Sequence, residues 1–233
     1  GGSASEGGRM SYVFKLGYGY ESRYLIDFVG RVDGSAKFAK NNRWGFFPGV
    51  SAAWRISEEP FFKNRFKNVD NFKLRLSVGQ TGDEANVNFN YLTGYIFGNS
   101  WIFDTGEAIS KGLKSKGLAN PNARWAETTT YNVGIDYSIF NRKFYTEVDV
   151  FYRLKSKMLA TRAHSLPSTF GASLPEENIN KQDTRGFELM LGHANKIGNL
   201  IYDIKANVSW ARSKWVHYDE VERTDPLQEH RYN

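Results

Sequence analysis

The segment 130–140, TYNVGIDYSIF, constrains the chain more than any other feature. From Tyr131 every second residue is apolar: Tyr131, Val133, Ile135, Tyr137 and Ile139. Between them stand Asn132, Gly134, Asp136 and Ser138. A period of two marks an extended strand with two unlike faces, one suited to hydrocarbon or a core and one to water. The pattern recurs at 12–18, 24–32, 44–56, 72–78, 148–154, 187–191 and 200–210. Together these predict about eight strands, most of them at the long end of the usual range. No long segment keeps a helical period. Pro48 falls on the apolar row of the third strand, and its missing N–H predicts a bulge or register break there.

The connections alternate in length. Those after the first, fifth and seventh strands are short (ESR, NRK and ANKIGN), and those after the second, fourth and sixth run to about 10, 50 and 25 residues. In an up-and-down meander this gives one tight end and one elaborate end, the asymmetry of outer-membrane barrels. The connection after the third strand, SEEPFFKNRFKNVDN, is the exception, and Ser57 is its expected helix N-cap.

Alternation alone does not say which face points outward. A soluble sandwich turns its apolar rows inward and a membrane barrel turns them to lipid. Three features favour lipid. The centres of the apolar rows carry no charge, and a Lys or Arg there would cost about 2–4 kcal/mol at the bilayer midplane. Tyr12, Tyr18, Tyr24, Trp44, Trp54, Tyr131, Tyr152 and Trp210 sit near row ends, where an interfacial aromatic belt belongs. The polar rows mix charge with Gly and Ser, which suits a wet or plugged lumen. The residues expected to face that lumen are Arg55, Lys73, Arg75, Asp136, Glu147, Asp149, Arg153, Glu188, Asp203 and Lys205.

Composition narrows the chemistry. The net charge of +6 is spread along the chain without a Lys/Arg block, so no nucleic-acid partner is expected. Without cysteine there is no disulfide framework and no thiolate metal site. His164, His193, His217 and His230 lack ligand spacing, and Asp83–Glu84 lies in no EF-hand pattern. Ser165, Ser168 and Ser173 lack a nucleophile elbow. Glu147 and Asp149 share a strand face beside Arg153; paired carboxylates can do acid–base work, but a solvated or ion-paired lumen wall is the expected reading. No enzyme activity and no cofactor are expected. The aromatics of the longest connection, Tyr91, Tyr95, Trp101, Phe103 and Trp125, are candidate substrate contacts, because flat rings suit the apolar C–H faces of sugars. The alternative is that they pack the loop on itself or on a covering protein.

Four stretches carry a family resemblance. RVDGSAKFAKNNRWGFFPGVSAAWRISEEPFF (31–62), FKLRLSVGQTGDEAN (72–86), NPNARWAETTTYNVGIDYSIFNRKFYTEVDVFYRLKSKML (120–159) and NINKQDTRGFELML (178–191) resemble, in order, segments of the SusC/RagA-like TonB-dependent transporters of Bacteroidetes outer membranes. The resemblance implies an all-β fold: an antiparallel meander of about eight long strands belonging to a plugged transmembrane barrel of about 22 strands. Residues 1–233 would form part of that barrel. It also implies a SusD-like surface lipoprotein as lid, energy from the TonB complex acting through a plug, and oligosaccharide or peptide substrates. No plug or TonB box is recognised in these residues, so the chain resembles a stretch from the second half of such a transporter. Two other readings stay open on the residues alone: a small eight-stranded barrel of adhesin or structural type, and a soluble carbohydrate-binding β-domain.

Overall fold

The computed structural model describes residues 7–84, 87–102, 109–162 and 174–219. Each alternating segment is a strand, and each strand pairs antiparallel with its sequence neighbour in the sheet. In chain order they are β1 (Arg9–Tyr20), β2 (Tyr24–Ser35), β3 (Trp44–Arg55), β4 (Val69–Asp83), β7 (Ala126–Ile139), β8 (Phe144–Thr161), β9 (Glu176–Ile197) and β10 (Leu200–His217). The sheet order is β1-β2-β3-β4-β7-β8-β9-β10. β1 and β10 are its two edges and do not pair with each other, so eight strands do not close a barrel. That removes the small closed barrel as a description of this chain.

A second sheet interrupts the connection between β4 and β7. It is the hairpin of β5 (Tyr95–Ile102) and β6 (Ile109–Ser115). A long connection without regular structure was expected here. The hairpin is hidden in sequence because Tyr95, Ile96 and Phe97 are consecutive apolar residues, which carry no period of two.

Register decides which residues share a face. One face carries, strand by strand, Leu16, Phe28, Val50, Val78, Tyr131, Tyr152 and their alternates, and it ends on Phe187 paired with Trp210. Across β7 and β8 its uncharged band runs from the Tyr131–Tyr152 pair to the Ile139–Phe144 pair, about nine residues, the length a tilted membrane strand requires. Arg185 caps the band at one end, its guanidinium 5.7 Å from the Tyr152 ring centroid. Belt aromatics stack: Tyr24 on Trp54 at 6.3 Å and Phe187 on Trp210 at 6.2 Å between neighbouring strands, and Tyr12 on Trp44 at 6.2 Å across β2. The apolar side chains stay exposed, Leu16 at 68% and Ile204 at 64%, so this face is not the core of the chain.

Three local expectations are corrected. Pro48 makes no bulge; it pairs in register with Gly30. The ladder from β3 to β4 stops one residue before it, at Gly49 opposite Gly79, so the side of Pro48 turned to β4 needs no donor. The β9–β10 turn is not six residues long but Gly198–Asn199, with Gly198 at φ +61°, where a left-handed residue reverses the chain at once. Ser57 does not cap a helix. It is buried in a 3-10 turn, and the helix α1 (Pro60–Arg65) begins after Glu59 with Pro60 in its first turn.

Candidate functional site

The opposite face of the sheet carries all ten residues expected to face a lumen. Register aligns Arg55, Lys73, Asp136 and Glu147 across β3, β4, β7 and β8. Arg75, Asp149 and Glu188 align one step away, with Arg153 further along β8 and Asp203 and Lys205 on β10. At the centre Arg75 spans three strands. Its Nη1 and Nη2 donate to the two carboxylate oxygens of Asp149 at 3.0 and 2.9 Å, and its Nε donates to Asp136 Oδ1 at 2.8 Å. Asn132 Nδ2 donates to Asp149 Oδ1 at 2.8 Å, and Lys73 Nζ stands 3.5 Å from Asp136 Oδ2. A planar guanidinium is suited to such forked pairing, and lysine is not.

Gly134 makes room for this network. A Cβ there would fall 2.5 Å from Asp149 Oδ1 and 2.7 Å from Arg75 Cζ. Of the two neighbouring acids, Asp149 is ion-paired, across strands with Arg75, while Arg153 lies over the Phe151 ring at 5.6 Å. Glu147 and Glu188 make no ion pair or side-chain hydrogen bond among the described residues. A second cluster joins Tyr145, whose hydroxyl donates to Asp203, with Lys205 at 3.7 Å from Asp203 Oδ2.

At the end where the long connections gather, the polar face is covered by a small core. Phe38, Phe47, Val87 and Trp125 are buried together, with Leu159 against them. The Trp125 ring lies 4.9 Å from Phe38 and 5.7 Å from Phe47, and its Nε1 donates to Arg43 O at 3.1 Å. Phe47 fills the gap left where β3 and β4 stop pairing, and a Cβ on Gly82 would meet its Cζ at 2.0 Å.

Asparagines stitch the loops around this core. Asn178 Oδ1 accepts from Arg124 N at 2.8 Å, while its Nδ2 donates to Arg124 O and Lys157 O at 2.8 and 2.7 Å. Lys157 has φ +56° at the β8 bulge, so this side chain takes the place of a missing strand partner. Asn120 Oδ1 accepts from Asn122 N at 2.9 Å and its Nδ2 donates to Glu176 O at 2.6 Å. These residues lie in the sequence motifs NPNARW and NIN, but nothing in their pattern announces which backbone groups they hold.

The aromatic candidates separate. Trp125 is 3% exposed and built into the loop core, so it is a packing residue rather than an open contact surface. Tyr91 is half-buried and donates to Ala36 O at 3.4 Å. Tyr95 stands 77% exposed on β5. Trp101 lies opposite Ser110 in the hairpin, and Phe103 falls outside the described residues, as do His164, His230, Ser165, Ser168 and Ser173. The hairpin adds two residues not singled out in sequence, Phe97 and Leu113, which pair cross-strand and are 71% and 67% exposed. Among the described residues no group of three His, Asp or Glu side chains is placed to hold a metal ion.

A sheet with one continuous apolar face, a polar ion-paired face and two free edges is the shape of a barrel wall segment. The family model described as TonB dependent receptor-like, beta-barrel, matches residues 11–233. The chain belongs to this TonB-dependent receptor family. Its members are transport proteins, not enzymes. The chain is 30% identical over 204 residues to the TonB-dependent receptor SusC of Bacteroides thetaiotaomicron, covering 86% of this chain and 20% of that protein. It is 32% identical over 213 residues to the TonB-dependent receptor P39 of Formosa agariphila, covering 91% and 19%. The chain thus spans about one fifth of the length of these relatives. The fold matches the RagAB peptide importer in its open-open state with a TM-score of 0.77 at 24% identity, over 92% of this chain and 22% of that one. The family match supports an outer-membrane β-barrel location.

Proposed function

We propose that this chain is a wall segment of a TonB-dependent outer-membrane importer that takes up oligosaccharides or peptides together with a SusD-like surface lipoprotein. The observation that carries the proposal is the division of the sheet into two faces. An uncharged apolar band crosses all eight strands, while every charged centre of the ion-pair network lies on the other face. Lipid on the first face and an aqueous lumen on the second satisfy both without burying an unpaired charge. The free edges of β1 and β10 fit a segment whose neighbours are further strands of a larger barrel, since unpaired edges do not persist in hydrocarbon.

The elaborate end is assigned to the extracellular side, and the β5–β6 hairpin is its projecting part. Tyr95, Phe97 and Leu113 offer exposed apolar area there, with Lys111 Nζ 5.5 Å from the Phe97 ring. Such a surface suits a substrate or a lid protein. TonB acts on this wall only through a plug. The reading is tested by sidedness in the full-length transporter. A protease site inserted at Lys111 is expected to be cut in intact cells, and one at Asn141 only after the outer membrane is opened. Cutting at Asn141 in intact cells with protection at Lys111 would invert the topology and end the proposal.

A further inference from the structure

The connection between β3 and β4 carries the most unusual surface outside the site described above. α1 places Phe62 against Phe66, with ring centroids 4.8 Å apart, and against Phe72 at 5.7 Å. Phe72 belongs to the apolar face of the sheet, where it meets Tyr137 edge-on at 5.9 Å. The aromatic row of that face therefore continues through Phe62 and Phe66 beyond the last strand residue. Phe61 is 63% exposed and Phe66 47% exposed, and none of the described residues covers them. The acids of the segment are already occupied: Glu58 binds Lys63 and Arg55, and Glu59 binds Arg23, Tyr24 and Trp54. Arg65 and Lys67 have no ion-pair partner among the described residues. The short helix and the two residues after it thus join exposed phenylalanines to two uncompensated cations.

We infer that α1 is an interfacial anchor that lies in the headgroup region of the periplasmic leaflet, with Phe61 and Phe66 at the acyl boundary and Arg65 and Lys67 on anionic phospholipid headgroups. The occupant is a phospholipid surface because Phe66, packed on Phe62 and through it on Phe72, continues the same apolar face rather than forming a separate patch. An aromatic and basic helix at the edge of a lipid-facing surface partitions into the interface. The inference rests on the assignment of the apolar face to lipid, so its test must fail separately from that assignment.

The test uses the full-length transporter in nanodiscs of phosphatidylcholine with and without phosphatidylglycerol. Single nitroxide labels are placed at Phe61, Phe66 and Ile135, and collision with oxygen is compared with collision with a water-soluble nickel chelate. Expected is a lipid-type signature at Ile135 and a shallow interfacial depth at Phe61 and Phe66. The local affinity of the α1 segment for phosphatidylglycerol should fall by about fivefold at low ionic strength for each cation removed in Arg65→Gln and Lys67→Gln, seen as reduced phosphatidylglycerol enrichment. A lipid signature at Ile135 with aqueous exposure at Phe61 and Phe66 overturns the anchor alone. Protection of Phe61 and Phe66 from both reagents means a protein covers the helix, and this also overturns it. An aqueous signature at Ile135 overturns the lipid assignment and the anchor with it. Unchanged lipid selectivity in the double variant removes the role of the cations.

Discussion

Arg75 holds Asp149 through two parallel hydrogen bonds of 3.0 and 2.9 Å across the width of β7, a strand to which neither residue belongs. The pair ties β4 to β8 on the polar face, and its third arm takes Asp136 on the strand between. Arg75→Ala leaves Asp149 without its cation and Asp136 with only the more distant Lys73. We expect a loss of about 1.5–3 kcal/mol, the range for hydrogen bonds to charged groups. In Arg75→Lys the fork is lost but a charge remains, so it should fall between Arg75→Ala and wild type. Resistance of the full-length folded protein to heating in detergent measures the order. Equal stability of Arg75→Ala and wild type would mean that water replaces the bridge at no cost.

Gly134→Ala tests the same network without touching a charge. Its methyl group would have to occupy space already filled by Asp149 and Arg75. The expected outcome is a destabilisation that does not add to that of Arg75→Ala, because both changes remove one arrangement. Full additivity in the double variant would show that Gly134 is needed for something else.

Acid should loosen the turn end of the wall through Glu59. Its carboxyl lies below the usual carboxylate range because the Tyr24 hydroxyl and the Trp54 indole donate to it, and the Arg23 guanidinium adds attraction. A depressed folded-state value means that the contribution to stability is complete above the ordinary value of 4.5 and fades as pH falls through the folded-state value. Wild type should therefore exceed Glu59→Gln in thermal stability at neutral pH, and the gap should narrow in acid. A gap that stays constant down to about pH 3 would contradict this linkage.

Removing the β5–β6 hairpin should impair import and spare assembly. Gly94 O accepts from Lys116 N at 2.9 Å, so the two ends of the excised segment are already adjacent and a deletion of 95–115 needs no new fold. Uptake and binding of the lid lipoprotein are the readouts. If both persist in the deletion, the hairpin is not a contact surface. Tyr95→Ala alone should have a smaller effect, since Phe97 and Leu113 offer comparable exposed area.

The eight strands of the wall were legible because each has one face that must avoid water, and that demand writes itself as alternation. Beyond the apolar band the demand ends. β9 runs from Glu176, well before its alternating part at Phe187, because polar residues serve both faces there. The hairpin was invisible for a related reason: neither of its faces is committed to one solvent. Among the candidate residues, the charges of the polar face could be assigned by parity alone. Their partners could not, since Arg75 and Asp149 are 74 positions apart and meet only through the register of three strands. Trp125 could be read from sequence either as a contact or as loop packing, and only the fold shows it packed. Its burial depends on Phe38, in the connection before β3, and on Phe47, on β3 itself, both far from it in sequence.

The early end of the β3–β4 ladder has a mechanical meaning. Seven residue pairs hold these strands, against thirteen between β7 and β8. At the fork stand two glycines, Gly49 and Gly79, with no side chains to clasp across it. A load that stretches the wall sideways would unzip this seam before any other, starting beside Phe47 and travelling toward Arg55 and Lys73. The wall has a preferred line of tearing, and the aromatic wedge of Phe47 and Trp125 sits at its open end like a rivet.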